Sequence, residues 1–592
     1  MKKYLLTGLT ITLLSWEVFA AAPTKPVLTN QYVNYHNAGF VKLNSETGSY
    51  KDAITRVDVV KLPVSWMGAD GATSWQVLVD GKIKASGKGS GGKTAVPITS
   101  GGLKQIIVHA CNSDGCTDSA PDKAIVADTD GSHLQPLKSD VLPGNKDYKQ
   151  QKDTVVAGYF VEWGIYARKY YVENIPANNL THVIYGFIPM CGENKSLKDA
   201  NPSGWAILQA DCAKSKDGEL VIHDMGAALW RQNGKEKTMK LDGTPVGYGE
   251  LGAGNFGHLM ALKKANPHLK VLPSIGGWTL SDPFFKMTNK ANRDTFVASA
   301  KEFLETWKFF DGLDIDWEFP GGGGANPALG DPVKDGPAYI ALMKELRTML
   351  DKLGQKNHRT YELTSAIGVG YDKLKHVNYA EASKYLDHIF MMNYDFYGAF
   401  SNQTGNQTGL YCGSTISPDK CNGTGAYQGK PEYTMANGVK ILLKQGVPAK
   451  KLIAGAAAYG RSWVGVKPNG GHPMGTMATG PTKADPADFA WEPGVMDYRG
   501  VMKFMQKNPS AKILWDDKAQ ASYVYDAPTT TLISFDTPRS IAAKGKYLES
   551  LGLGGIFTWE LDGDSNGDIL NSMNKAVGNK PGKTDSAPAK NK

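Results

Sequence analysis

The run Asp311-Gly312-Leu313-Asp314-Ile315-Asp316-Trp317-Glu318-Phe319-Pro320 carries the strongest chemical signal in the chain. Side chains alternate along a strand, so Asp314, Asp316 and Glu318 share one face while Leu313, Ile315, Trp317 and Phe319 share the other. Successive same-face residues lie about 6.6 Å apart at Cα, and three carboxylates so close in a confined interior cannot all ionise cheaply. At least one proton is retained, and Asp314 and Asp316 form a pair whose titration belongs to both. Glu318, nearest the C-terminal end of the strand, is the natural general acid. The competing readings are a satisfied ion-pair network and a Ca²⁺ or Mg²⁺ site. Against the network, the motif holds no Lys or Arg to neutralise the acids.

Positioning that strand requires a scaffold, and short apolar strand candidates recur at 155–160, 181–188, 270–277, 312–319, 362–368, 388–396, 451–459 and 554–561. Helical periodicity marks 293–307, 337–353 and 538–551 between them. Eight strands alternating with helices predict a (β/α)8 TIM barrel over 155–461 and 537–574, with chemistry at the C-terminal strand ends. The gap between the seventh and eighth strands is too long for one crossover. Strand-like pieces within it, at 522–526 and 531–535, predict an α+β insertion over 462–536.

Ahead of the barrel, residues 23–133 read as β structure. The run 75–79 enters Asp80-Gly81 and leaves through 82–85, the pattern of a two-residue hairpin. Alternating segments at 53–60, 94–98 and 105–110 complete a small antiparallel sandwich of immunoglobulin or fibronectin-III type. Trp66 reads as a core residue rather than a surface platform. Residues 134–154 read as a linker, and the Lys-rich 575–592 as a disordered tail. Lys2 and Lys3, an apolar run over 4–16 and small residues at Ala20–Ala22 predict a secretory signal peptide over 1–20. No apolar stretch is long enough for a bilayer, so export without membrane attachment is expected. Six cysteines suit an oxidising destination. Their spacing suggests Cys111–Cys116, Cys191–Cys212 and Cys412–Cys421, although spacing alone leaves pairing open.

The chain of 592 residues has 41% hydrophobic and 21% charged residues, an ordinary globular composition that excludes collagen, coiled coil and wholesale disorder. Its formal charge of +8 falls to +3 once the Lys-rich tail and the leader are set aside, too little for a nucleic-acid surface. Residues 252–257 satisfy G-x-G-x-x-G but follow a loop, so no dinucleotide site is expected. Residues 562–568 begin like a calcium loop, yet the twelfth position is Met573, which favours helix capping. Asn402 and Asn406 stand in N-x-T sequons that prokaryotic export leaves without consequence.

Residues 311–318 resemble the D-x-x-D-x-D-x-E motif of glycoside hydrolase family 18, and Ser274-Ile275-Gly276-Gly277 resembles its S-x-G-G motif. Met392-Asn393-Tyr394-Asp395 and residues 554–560 extend the resemblance, and the layout is similar to bacterial chitinases of the chitinase A type over residues 24–574. The resemblance implies retaining hydrolysis of β-1,4-linked N-acetylglucosamine polymers in which the substrate's acetamido oxygen replaces an enzyme nucleophile. It gives Glu318 the acid and base role, Asp316 the orientation of the acetamide, Asp314 a shared proton with Asp316, and Tyr394 a hydrogen bond to the acetyl carbonyl. Trp559 becomes the floor beneath the cleaved sugar. Trp163, Trp278, Phe187, Met392, Asp395 and Phe400 become cleft-lining residues, with Arg461, Trp491 and Glu492 forming the wall at the insertion. Implied partners are chitin and chito-oligosaccharides, acted on by a monomer with no cofactor and no metal. The rival readings are a chitin-binding lectin-like protein, an enzyme cutting the chitobiose core of N-glycans, and a structural surface protein. Intact Glu318, Asp316 and Tyr394 argue against the lectin.

Overall fold

The computed structural model describes residues 21–29 and 38–582. The expected signal peptide and the last ten residues of the expected tail lie outside them. Two compact units are present among the described residues, one from those up to Phe40 together with Val57–Val126, the other from Val41–Arg56 and those from Ala127 onward.

The first unit is antiparallel β structure. One sheet joins Val27–Leu28, Val60–Met67 and Lys93–Ile98; the other joins Asp122–Val126, Gly102–Asn112, Ser74–Val79 and Lys82–Lys88, with Gly115–Asp118 beside Gly102–Asn112. Alternation sends Val60, Leu62, Val64 and Trp66 to a core shared with Val77, Val96, Ile106 and Val108. Asp80 and Gly81 both take positive φ, 51° and 75°, as a tight hairpin turn between right-twisted strands requires. Trp66 is buried, edge-on to Trp75 at 5.1 Å, with its indole N–H donating to the Ser90 carbonyl. Cys111 and Cys116 face each other across the last hairpin and form a disulfide.

The second unit is built on eight parallel strands that close on themselves: β1 (Val155–Val161), β2 (His182–Ile188), β3 (Lys270–Gly276), β4 (Gly312–Asp316), β5 (Glu362–Gly368), β6 (His388–Met392), β7 (Leu452–Ala457) and β8 (Gly555–Trp559). Covered on both faces, these strands read as near-continuous apolar runs. Parity still assigns the faces. Val155, Ala157 and Tyr159 of β1 join Ile184, Leu272, Phe390 and Phe557 in the inner cluster, while Val156 and Phe160 join the helices outside. After β7 the chain leaves the barrel for a mainly antiparallel sheet of Tyr459–Val464, Thr531–Phe535, Ala521–Asp526 and Lys512–Asp516, with the helix Tyr498–Lys507, before returning through Pro538–Leu551 to β8. The disulfides Cys191–Cys212 and Cys412–Cys421 clip loops of this unit.

Four expectations change. Residues 41–56, expected in the sandwich, form a hairpin of Val41–Leu43 with Ile54–Arg56 that groups with the barrel, where the Trp307 indole donates to the Tyr50 hydroxyl at 3.1 Å. The expected linker is not free chain: Leu134 and Leu137 are buried in the barrel's outer core, and Tyr148–Lys149 pairs with Lys580–Pro581. That pairing and the helix Asp568–Ala576 make residues 575–582 part of the fold, because the helix buries Ile569, Leu570 and Met573. Strands β4, β6, β7 and β8 end two to four residues earlier than the sequence pattern suggests, and beyond β6 Asp395 leaves extended geometry altogether, with φ of 59°.

Candidate active site

Leu313, Ile315 and Trp317 pack outward into the helical shell, which turns Asp314 and Asp316 into the barrel. Asp314 is fully buried and accepts three hydroxyl hydrogen bonds, from Tyr159 on β1 at 2.9 Å, Ser274 on β3 at 2.7 Å and Thr364 on β5 at 2.6 Å. Burial raises its carboxyl pKa above the ordinary value, and the three donors hold that rise back. Asp316 is nearly as buried, and its Oδ1 has no hydrogen-bond partner among the described residues. Burial, followed by the charges of Glu318 and Asp314, pushes Asp316 far above the carboxylate range. Glu318 stands half-buried at the rim. Its carboxyl is pushed up to about 8 by burial and then by the Asp395 carboxylate, against a hydrogen bond with Asp316 that lowers it. The column therefore holds protons at neutral pH, the outermost on a group facing the opening.

The backbone around the column is tied by one buried side chain. Ser281 Oγ lies 2.9 Å from the carbonyls of Gly277 and Asp316, which share its single hydroxyl proton, and it accepts from the Glu318 N–H at 3.1 Å. Gly277 N–H also donates to the Asp316 carbonyl at 2.8 Å. Both glycines of the S-x-G-G stretch are needed for this approach. Gly276, at φ 107°, would put a Cβ 2.3 Å from the Asp316 carbonyl oxygen, and Gly277, at φ 89°, would put one 2.7 Å from the Phe187 ring.

Above the acids lies an aromatic floor. Phe187 stacks on Trp559 at 5.6 Å and 17°, Trp163 stands 6.3 Å from Phe187 and 6.5 Å from Trp559, and Tyr159 lies 5.4 Å from Trp559. Met392 and Tyr394 pack against the same inner cluster, Tyr394 edge-on to Phe557 at 6.1 Å. Burial and the Asp316 charge lift the Tyr394 phenol well above its ordinary pKa, so it stays a hydroxyl donor. Trp163 is 40% exposed and Trp278, immediately after Gly277, is 53% exposed. These are large apolar faces at the mouth of a polar site.

On the insertion side, Asp395 accepts from the Tyr459 hydroxyl at 2.6 Å and from Arg461 Nε at 2.7 Å, while its N–H donates to Gln407 at 3.0 Å. Phe400, largely exposed, sits beside Arg461, since a Cβ at Gly398 would meet both side chains. Trp491 stands apart from the aromatic floor. Its indole N–H donates to Asp497 at 3.0 Å, and the Arg168 guanidinium lies over its ring at 5.0 Å. Glu492 is exposed and acts on Arg461 through its charge. Sequence reading missed this Arg168 node, which also holds Glu560, Asp562 at 3.2 Å and Asp497 at 3.6 Å. It missed Tyr159, Thr364 and Ser281 as well. Strand parity could have found the first two, because a tyrosine hydroxyl and a threonine on inward positions need partners inside.

Residues 155–564 match glycosyl hydrolases family 18, and residues 20–152 match the chitinase A N-terminal domain. The chain belongs to glycosyl hydrolase family 18. It is a glycoside hydrolase with the domain order of the chitinase A type. Among proteins similar to it, chitinase A of Pseudoalteromonas piscicida is 47% identical over 93% of this chain and 68% of its own length. The chitinase of Autographa californica nuclear polyhedrosis virus is 44% identical over 94% and 96%. Of solved structures, chitinase ChiA74 from Bacillus thuringiensis has a TM-score of 0.61 at 28% identity, covering 72% of this chain and 70% of that one. The family match rests on both ends of the barrel sequence, so all eight strands and the insertion fall within it.

Proposed function

We propose that this family 18 hydrolase cuts β-1,4 bonds in chitin and chito-oligosaccharides with retention of configuration, through the substrate's own acetamide. The observation that carries the reading is the buried Asp314–Asp316–Glu318 column opening onto the Trp559–Phe187–Trp163 floor. Sugar rings present apolar faces that aromatic side chains cover, while the acids wait at the rim. Glu318, protonated near neutrality, gives its proton to the glycosidic oxygen as the C1–O bond breaks. The acetamido carbonyl oxygen forms a bond to C1, giving an oxazolinium ion. The free Asp316 Oδ1 accepts from the acetamide N–H, and Tyr394 donates to the acetyl oxygen. Water then attacks C1, its proton returning to Glu318. Two inversions at C1 leave the β-anomer. Arg461, Asp395 and Phe400 would hold sugar rings along the insertion wall.

Supporting export are three disulfides, which persist in oxidising compartments. No helix among the described residues is long and apolar enough to cross a membrane. One chain supplies every residue of the site, so a monomer suffices for activity.

Glu318→Gln keeps the shape and removes the proton. Against chito-hexaose it is expected to cut kcat by about 10²–10⁴ while leaving oligosaccharide binding intact. Wild type should release the β-anomer first and leave cello-hexaose, which lacks the acetamide, uncut. Normal turnover by the variant, or brisk cellulose cleavage by wild type, would overturn the mechanism. Release of sugar from a glycoprotein but not from chitin would favour the N-glycan reading.

A further inference from the structure

The opposite, N-terminal end of the barrel gathers a second set of chemically capable side chains. His182, Glu362 and His388 are the first residues of β2, β5 and β6, and one potential ligand atom from each lies within 4.8 Å of the others. His182 Nε2 is 2.8 Å from Glu362 Oε2, and the two imidazoles stand edge to face with centroids 5.6 Å apart. Lys270, the first residue of β3, pairs with the other carboxylate oxygen.

Hydrogen bonding fixes what faces what. The Thr181 hydroxyl accepts from the Val156 N–H and donates to the Val156 carbonyl, both at 3.0 Å. The Val156 carbonyl also accepts the Thr181 N–H at 2.8 Å, and His182 Nδ1 lies 2.7 Å from the same hydroxyl, which sets the ring's orientation. That leaves His182 Nε2 directed at a carboxylate oxygen. Without an ion a ring N–H spans the 2.8 Å to Glu362 Oε2, and a metal ion would take that proton's place. His388 adds Nδ1, which is buried and has no hydrogen-bond partner among the described residues. A buried nitrogen left unpaired costs free energy that a bound ion would recover.

We propose that His182, Glu362 and His388 bind one Zn²⁺-type divalent cation at the base of the barrel. Two imidazoles and one carboxylate are the donor set that borderline first-row ions prefer. Thr181 orients the His182 ring and Lys270 steadies the carboxylate, the outer contacts such sites need. Lys270 is exposed and His388 part-exposed, so an ion can reach the site from solvent. The other His and Cys cluster among the described residues, His109 with Cys111 and Cys116, has both sulfurs tied in a disulfide and offers no thiolate. A bound ion would clamp three strand beginnings together, far from the acids at the C-terminal mouth, so its effect is on stability rather than turnover.

The test uses the full chain stripped with EDTA, dialysed, and titrated with ZnCl₂ by calorimetry and by thermal melting. Wild type is expected to bind one zinc per chain and melt higher with it, while its rate on chito-oligosaccharides is the same with and without the metal. His388→Gln removes a ligand that holds no other hydrogen bond, and should weaken zinc binding by about tenfold or more and abolish the melting shift. Glu362→Gln should do the same; if it fails to fold, His388→Gln alone decides. No saturable zinc binding to wild type, or binding and melting shift unchanged in His388→Gln, would overturn the proposal.

Discussion

The proton on Glu318 should be visible in the pH dependence of catalysis. With its carboxyl pushed up to about 8, the acid is about nine-tenths protonated at pH 7 and about one-tenth at pH 9. The kcat/KM of the free enzyme should then hold level through neutrality, bend near pH 8 and fall about tenfold per unit beyond. Because Glu318 and Asp316 share a hydrogen bond, the proton lost at that bend belongs to the pair. Burial is the larger cause of the rise and the Asp395 charge the next. Asp395→Asn removes that negative neighbour, which makes the Glu318 carboxylate easier to form. The bend should move to lower pH by about one unit, equivalent to about 1.4 kcal/mol. Initial rates on a fluorogenic chito-oligosaccharide from about pH 5 to about pH 10 would read both curves. A wild-type profile still level at the alkaline end, or a bend that moves upward in Asp395→Asn, would refute the assignment of the acid and of its neighbour.

Two further predictions follow from buried polar contacts. Ser281→Ala cuts the link between the Asp316 carbonyl, the Gly277 carbonyl and the Glu318 N–H; kcat should drop by about tenfold with KM nearly unchanged, since only the acid's placement suffers, and equal loss in both parameters would contradict that role. Lys544 and Asp536 form a fully buried ion pair at 2.7 Å, with Lys544 also donating to Thr408 and the Gly455 carbonyl. Lys544→Met strands the Asp536 charge and should cost about 3–5 kcal/mol in urea unfolding, part of which Asp536→Asn returns in the double variant.

Much of the fold was legible because period and spacing survive burial. Seven of the eight barrel strands lie within the segments that sequence marks and β1 runs one residue past its segment, to Val161, while Asp80-Gly81 turns the hairpin its chemistry demands. Apolar docking hidden inside polar text was not legible. Leu134 and Leu137 lie in a Lys- and Pro-rich stretch whose composition resembles free linker, yet two leucines are enough to dock it. The same holds for residues 41–56, where Tyr50 finds Trp307 some 257 positions away.

For the site, the column of acids could be read directly, because a two-residue repeat on a strand leaves no choice of face. Sequence alone thus determined that Asp314 and Asp316 share the inner side, with Glu318 just past the strand's end, and that one of the three must keep a proton. What the fold decided is the ranking among them. Asp314 is surrounded by Tyr159, Ser274 and Thr364 from three other strands, whereas Asp316 keeps a bare oxygen and Glu318 feels Asp395 from the sixth strand's end. Desolvation and charge act through space, between residues whose separation along the chain carries no information. The histidine and carboxylate group at the barrel's base makes the same point, since β2, β5 and β6 meet there only because the sheet closes.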